Sequence, residues 1–576
     1  MRRKLIALMA AMALGALLLV EAAPASAVVV PAGLTYVGPA SAATGATATL
    51  AATVGTAAGA PVSGASVSFA LANQPAVAAT TDANGLASAA VRVLKSAGTY
   101  TLTVSTAGQP DKTLDLAVSN ANTFNIVVPG GTAGGNGGEP SLEIAPDGTM
   151  YASSPAGPIF VRSTDNGATW KKPGTPPFSS SGDTSLSTDQ SGAVYLTNLN
   201  GIGSSNTLQT DLYKSKAQGA TGSWVKGAGP ATNANTTNMP LLTDRQWGDS
   251  YVPAGGTTDT ARVYLSYHDW GPSQLWVQTS TDGGAHFGLP FDVITDPQAE
   301  AATFCNSIPG GLKVVKSGPR AGRVYVAWLG GDLATNLATG CNDTQLNTFH
   351  TVWIAYSDNA DAMVPTWTDK LVYDGNIGHD GSGLFADLTL DNAGNPYVGF
   401  GMEGAGQAIG THTEFDMFLS ASFDGGNTWR GPFNVAPGQT GTHVYPAVAA
   451  GDPGQVSVAF LRTDAVIPLL PYGKPAPGGV PTAKWYLYVA QSLDLGLTTG
   501  APTWNVTQAT PNPMHIGEIC TLGIFCSATG GDRTILDFID AVIDLNGYTH
   551  VAICDNGDSS ASLDIANQSA GAAVKG

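Results

Sequence analysis

Apolar and polar residues alternate with period two through most of this chain, and clusters of Gly, Asp and Asn interrupt the alternation. Ser66-Val67-Ser68-Phe69 and Tyr100-Thr101-Leu102-Thr103-Val104 read as half-buried strands, and Asp82-Ala83-Asn84-Gly85 reads as a turn. Beyond residue 120 the pattern repeats. A hairpin turn runs into an apolar strand at Asp147–Tyr151, Gly192–Leu196, Arg262–Leu265, Gly322–Val326, Gly394–Val398, Gly454–Val458 and Gly547–Val551. A second motif, Ser-x-Asp-x-Gly-x-Thr-Trp, alternates with it. It occurs at Ser163–Trp170, Ser280–Phe287 and Ser422–Trp429, with lengthened copies at Ser215–Trp224, Ser357–Trp367 and Ser492–Trp504. A repeat of roughly 60 residues fits one four-stranded blade with long loops. These patterns predict an all-β fold, with a seven-bladed β-propeller over 122–565, six blades being the alternative, and a C-terminal tail at 566–576. The last unit is short of chain after Val551, so Thr123–Val128 is expected to complete it and close the ring.

The motif explains itself locally. The carboxylates of Asp165, Asp282 and Asp424 can accept backbone N–H bonds across a tight turn, and Gly can take positive φ. Trp170, Phe287 and Trp429 can pack between neighbouring sheets. All six are therefore read as structural.

The first residues are of another kind. Arg2, Arg3 and Lys4 precede an apolar run from Leu5 to Val20, and Ala25-Ser26-Ala27 supplies a cleavage signature. Residues 1–27 are expected to be a signal peptide that sends the mature chain out of the cell. No later run is long and apolar enough for a spanning helix, so no membrane insertion is expected. The net charge of −18 argues against nucleic acid as a partner. Five Cys are present. Cys520–Cys526 and Cys305–Cys341 are plausible disulfides of an exported chain, with Cys554 buried and unpaired, but spacing alone leaves the connectivity open. No spacing suits a zinc site or a calcium loop, so neither metal nor cofactor is expected.

Residues 31–119 are rich in Ala, Thr, Val and Gly. Through Ala60–Phe69, Thr81–Ala87 and Ala97–Val104 they resemble bacterial Ig-like domains of the invasin type. That resemblance implies a β-sandwich spacer, with cell-surface contact as a further use. The Asp boxes and blade period resemble the sialidase superfamily, the BNR-repeat propellers. This resemblance implies three Arg on a sugar carboxylate, a Tyr nucleophile paired with Glu, and an Asp acid/base. Where such enzymes carry Arg-Ile-Pro, this chain reads Glu139-Pro140-Ser141-Leu142-Glu143.

In a propeller the innermost strands begin at one rim of the central funnel. Their starts here carry Glu139, Asp183, Asp244 with Arg245, Asn306, His379 with Asp380, His443 and Arg533. The expected catalytic set is Glu139, Asp183, Asp244, Asp380, Glu518 and Tyr445. The expected substrate-binding set is Arg245, Arg462, Arg533, His443 and Trp247. Asp–Arg pairs at strand starts also tie blades together, which is the alternative use of these residues. Two functions follow: a secreted, sialidase-like glycoside hydrolase acting on the terminal acidic sugar of an extracellular glycan or glycoprotein, or a non-catalytic propeller that binds glycan or protein, with the Ig-like unit as spacer. A polysaccharide lyase on the same fold is a third.

Overall fold

The computed structural model describes residues 31–130, 137–155, 159–174, 176–177, 182–200, 209–228, 243–269, 274–303, 307–331, 349–375, 385–403, 415–463, 482–497, 500–521, 526, 531–557 and 561–576. The expected signal peptide, Cys305, Cys341, Asn306, His379 and Asp380 lie outside these residues. The regular structure of the described residues is nearly all strand, and none of their helices is long and apolar enough to cross a membrane.

The N-terminal part holds two sheets. One contains Gly33–Tyr36, Thr47–Gly55 and Leu86–Arg92. The other contains Ser41–Ala43, Lys112–Ser119, Gly98–Thr106, Ser66–Leu71 and Val77–Thr80. Alternation does the work here: along Thr47–Gly55, Ala48, Leu50, Ala52 and Val54 are buried while the residues between them are not. These join Phe69, Leu102 and Val104 in a core drawn wholly from residues 34–118. The Asp82 carboxylate accepts the N–H groups of Asn84 and Leu86 at 2.8 and 2.9 Å, which fixes the turn.

Among the described residues seven antiparallel sheets follow, six of them built from strands consecutive in sequence and the seventh taking in one earlier strand. Their first strands are Ser141–Ile144, Thr184–Thr188, Thr243–Tyr251, Ser307–Val314, Asp387–Leu390, His443–Ala450 and Asp540–Ile543. Each first strand packs on the next, and the last packs on the first, so the sheets form a closed, propeller-like ring. Thr123–Val127 joins the seventh sheet as its outer strand, paired with Ser562–Ala570. That strand continues past residue 566, the expected start of the tail. Ala572 and Val574 beyond it are buried.

Neighbouring first strands are stitched by side chains instead of a backbone ladder. Asp540 of the seventh sheet accepts from Leu142 N of the first at 2.7 Å. Ser141 Oγ of the first accepts from Leu186 N of the second at 3.0 Å. Asp249 of the third accepts from Val314 N of the fourth at 2.9 Å, and Asp387 of the fifth accepts from Val448 N of the sixth at 2.6 Å. Buried N–H groups need such partners.

The Asp-box turns join the third strand of a sheet to its outer edge. In the first, Asp165 Oδ1 accepts from Ser163 Oγ and Thr169 N, both at 2.8 Å, and Trp170 Nε1 donates to Gly167 O at 3.0 Å. Asp282 and Asp424 make the same bonds to Ser280 and His286, and to Ser422 and Thr428. Gly167 sits at φ +80°, and a Cβ there would stand 2.4 Å from Asn567 Oδ1, so the turn admits no larger residue. A lengthened copy docks the N-terminal part. Asp494 holds Thr503 N at 2.9 Å and forms a buried ion pair with Lys95 at 2.7 Å.

Candidate active site at the rim of the ring

The residues ahead of the first strands are drawn toward the ring axis by an unusual backbone. Among the described residues eight non-glycine residues have positive φ. Five of them, Glu139, Arg245, Phe385, Tyr445 and Leu536, sit at or just before first strands. Arg245 and Tyr445 occupy β-bulges, where the register slips between Asp244 and Trp247 and between Val444 and Ala447. A bulge turns one side chain out of the alternation, here toward the centre. Gly138 lets Glu139 in, since a Cβ at residue 138 would meet Leu536 Cγ at 2.7 Å.

The side chains that converge are mostly charged. Arg245 is 4% exposed; its Nη1 lies 3.0 Å from Asp183 Oδ2 and 3.4 Å from Glu139 Oε2. The second oxygen of Glu139 accepts from Arg533 Nη2 at 3.2 Å. Asp537 grips Arg533 from the other side, with Nε donating to its two oxygens at 2.9 and 3.1 Å. Asp183 lies within hydrogen-bonding reach of both Glu139 and Asp244, so three carboxyl groups stand in a row. Arg245 also stacks on aromatic rings. Its guanidinium carbon is 4.1 Å from the ring centre of Phe538, 4.8 Å from Trp247 and 5.6 Å from Phe385.

Environment divides the carboxyl groups. Burial and the charge of Asp183 push Asp244 up to about 7. Burial, then the charges of Asp183 and Asp537, raise Glu139 well above the carboxylate range. Burial works the same way on Asp183, but Arg245 and the hydrogen bonds from its neighbours outweigh it and hold Asp183 below its ordinary value. Nearby, burial and then the charge of Arg245 lower His268 to about 4. One carboxyl that keeps its proton beside one that does not is the arrangement acid–base chemistry uses.

The rim thus gathers Glu139, Asp183, Asp244, Arg245, Arg533, Trp247 and Tyr445. It does not gather the rest of the expected set. His443 Nδ1 lies 2.8 Å from Phe415 O, and its ring packs on Phe460. Arg462, the strand partner of His443, donates twice to Thr440 O and lies over Tyr488. Glu518, two residues before the Cys520–Cys526 disulfide, accepts from Asp532 N at 3.1 Å, one residue behind Arg533. Asp380 lies outside the described residues. Tyr445 is buried and donates its hydroxyl to Leu536 O at 2.6 Å, not to a carboxylate; burial raises it well above the ordinary tyrosine value. Sequence reasoning passed over Asp537, Phe385 and Phe538. The Arg533-x-x-x-Asp537 spacing was visible, whereas nothing marks the two Phe apart from ordinary core residues.

No family model matches the chain, and no curated protein does. Among solved structures it is similar to an ulvan lyase of polysaccharide lyase family 25, bound to -[GlcA(1-4)Rha3S]-, at 12% identity and a TM-score of 0.47, over 78% of this chain and 97% of that one. It is also similar to Trypanosoma rangeli sialidase in complex with sialic acid, at 11% identity and a TM-score of 0.31, over 79% of this chain and 55% of that one. A thermostable family-43 glycoside hydrolase follows at 12% identity and a TM-score of 0.29, over 57% of this chain and 93% of that one. At these scores none of them bears on what this chain does.

Proposed function

We propose that this is an exported, glycan-active enzyme, a glycoside hydrolase working at the rim of a seven-bladed propeller, with residues 31–119 as an Ig-like unit. The observation that carries the reading is the row of carboxyl groups Glu139–Asp183–Asp244, set against Arg245 and Arg533 where backbone strain is concentrated. In this reading Asp244 gives its proton to the glycosidic oxygen as the bond to the leaving sugar breaks. Asp183 stays ionised and faces the positive charge that develops on the sugar ring, and water completes the cleavage. An acidic terminal sugar is favoured by Arg245, whose Nε and Nη2 are buried and have no hydrogen-bond partner among the described residues.

One observation favours the non-catalytic alternative. The Tyr445 hydroxyl is occupied by Leu536 O, and Arg533 is occupied by Asp537 and Glu139. A pure binding site would show this internal neutrality. Hydrolysis of a fluorogenic sialoside and of a panel of aryl glycosides by the mature chain separates the two. Turnover that is lost in Asp244→Asn supports the enzyme. Silence on every glycoside, together with saturable glycan binding, selects the binding protein.

A further inference from the structure

The far end of the ring axis holds a second polar chamber that the rim chemistry does not use. It encloses about 310 Å³ and adjoins a further void of about 220 Å³. Lys313 and Lys316 line the first, and Lys316 and Lys575 line the second. In a chain with 25 Lys and Arg against 43 Asp and Glu, three lysines gather on one mouth, beside Glu143, Asp249 and Asp391 of the first lining and Asp189 and Asp544 of the second.

Lys316 is engaged: its ammonium donates to Thr188 O at 2.7 Å and lies 3.1 Å from Asp249 Oδ1. Lys313 is not. It reaches into the axis from the fourth sheet, yet no described residue gives its ammonium a hydrogen bond or an ion pair within 4 Å. Four carboxyl groups face it at longer range, namely Glu143, Asp249, Asp387 and Asp540. Each has donors of its own. Glu143 accepts from Thr188 Oγ1 at 2.8 Å, and Asp249, Asp387 and Asp540 accept the N–H groups that stitch neighbouring sheets. Burial raises Glu143 and pushes Asp387 to about 6 and Asp540 to about 7, which trims the negative charge around Lys313. What remains is an ammonium with three N–H donors, facing a chamber and lacking an acceptor.

We infer that this chamber binds a small oxyanion, a phosphate or a carboxylate, with Lys313 as the principal donor and Lys316 beside it. The chamber opens away from the rim, although Lys313 itself also lines a small central cavity shared with Arg245 and Trp247; the inference stands whether or not the rim cleaves a glycan.

Calorimetric titration of the full mature chain with inorganic phosphate, acetate and citrate tests it, and the three probes distinguish the two oxyanion classes. At least one should bind with unit stoichiometry. Lys313→Met should weaken that binding roughly tenfold or more, the loss of one charge-assisted hydrogen bond, and Lys313→Arg should restore most of it. No wild-type binding of any probe at millimolar concentration overturns the inference. So does equal binding by the Met variant. Should that variant not fold, the lysine side-chain NMR signals of the wild type decide instead. The Lys313 signal, assigned from the Arg variant, must move as anion is added, and a stationary signal overturns the site.

Discussion

At the scale of single residues, the rim is defined by what its groups are prevented from doing. Tyr445 is the sharpest case. A tyrosine nucleophile needs its hydroxyl free and a base to hold the proton, whereas this hydroxyl is buried and donates to a backbone carbonyl. Tyr445→Phe is therefore expected to keep turnover within a few-fold and to cost about 0.5–1.5 kcal/mol of stability, the net worth of one hydrogen bond. Steady-state kinetics and a urea melt check both; a loss of all turnover in a folded variant would return the nucleophile role to Tyr445. Asp244 is the opposite case. Held near 7 by burial and by Asp183, it keeps a proton into the neutral range. Asp244→Asn should lower turnover by roughly 10²–10⁴-fold with little change in KM, the usual yield of a positioned acid. In the wild type, activity should decline as pH rises through about 7, because the proton to be donated is then lost. A basic limb that persists unshifted in a partly active Asp244→Asn variant would place the acid elsewhere.

At the scale of elements, the fold is written in turns. The three intact Asp boxes make the same bonds at three separate sites, so their geometry was legible from eight residues each. Asp424 is held near 2 because hydrogen bonds from Thr428, Ser422 and Asn427 outweigh its partial burial. Asp424→Ala removes these bonds at a mostly exposed turn and should cost about 1–2 kcal/mol in a denaturant melt. A change within error would mean that Trp429 alone sets the turn. The alternation that marked strands was equally local, which is why the N-terminal sheets and the seven hairpins could be read directly. The site was less legible, for a physical reason. Glu139, Asp183, Asp244, Arg245 and Arg533 stood out because charges are scarce in this chain and fall at strand starts. His443 stood at a strand start and Arg462 was a scarce charge, but the sixth sheet pairs them with each other and turns them to Phe415 and Thr440. Phe385 and Phe538 carried no mark at all. What selects them is a left-handed backbone at Phe385 and the approach of three chain segments around Arg245. Neither appears in a linear pattern.

At the scale of the whole molecule, two features decide how the chain holds together. The first is the buried Lys95–Asp494 pair, which welds the N-terminal sheets to the sixth sheet of the ring. Lys95→Met leaves an uncompensated carboxylate and should cost about 3–5 kcal/mol, while a Lys95→Met, Asp494→Leu double variant should recover much of it. Calorimetry would show the cost as a lowered or divided transition. The second is the closure of the ring by carboxyl groups that prefer to be protonated. Asp540, which fastens the seventh sheet to the first, is pushed to about 7, and Asp387, which fastens the fifth to the sixth, to about 6, both chiefly by burial. A carboxyl whose folded value lies above its unfolded value of 3.8 binds its proton more tightly in the folded state. Its contribution is complete below pH 3.8 and is lost as pH rises through the folded value. Asp424 and Asp544, held near 2, act in reverse: their contribution is complete above 3.8 and fades as pH falls toward 2. The two trends cross, so stability should peak between about pH 4 and 5 and decline to about pH 7, unlike a surface-charged domain whose optimum is near neutral. Thermal melts from pH 3 to 8 test this directly. Asp540→Asn should flatten the decline between pH 5 and 7, because the titrating group is gone. A wild-type melting temperature that rises steadily across that interval would mean the ring is closed by ionised carboxylates, with Lys313 as their counter-ion and its ammonium no longer open to a ligand.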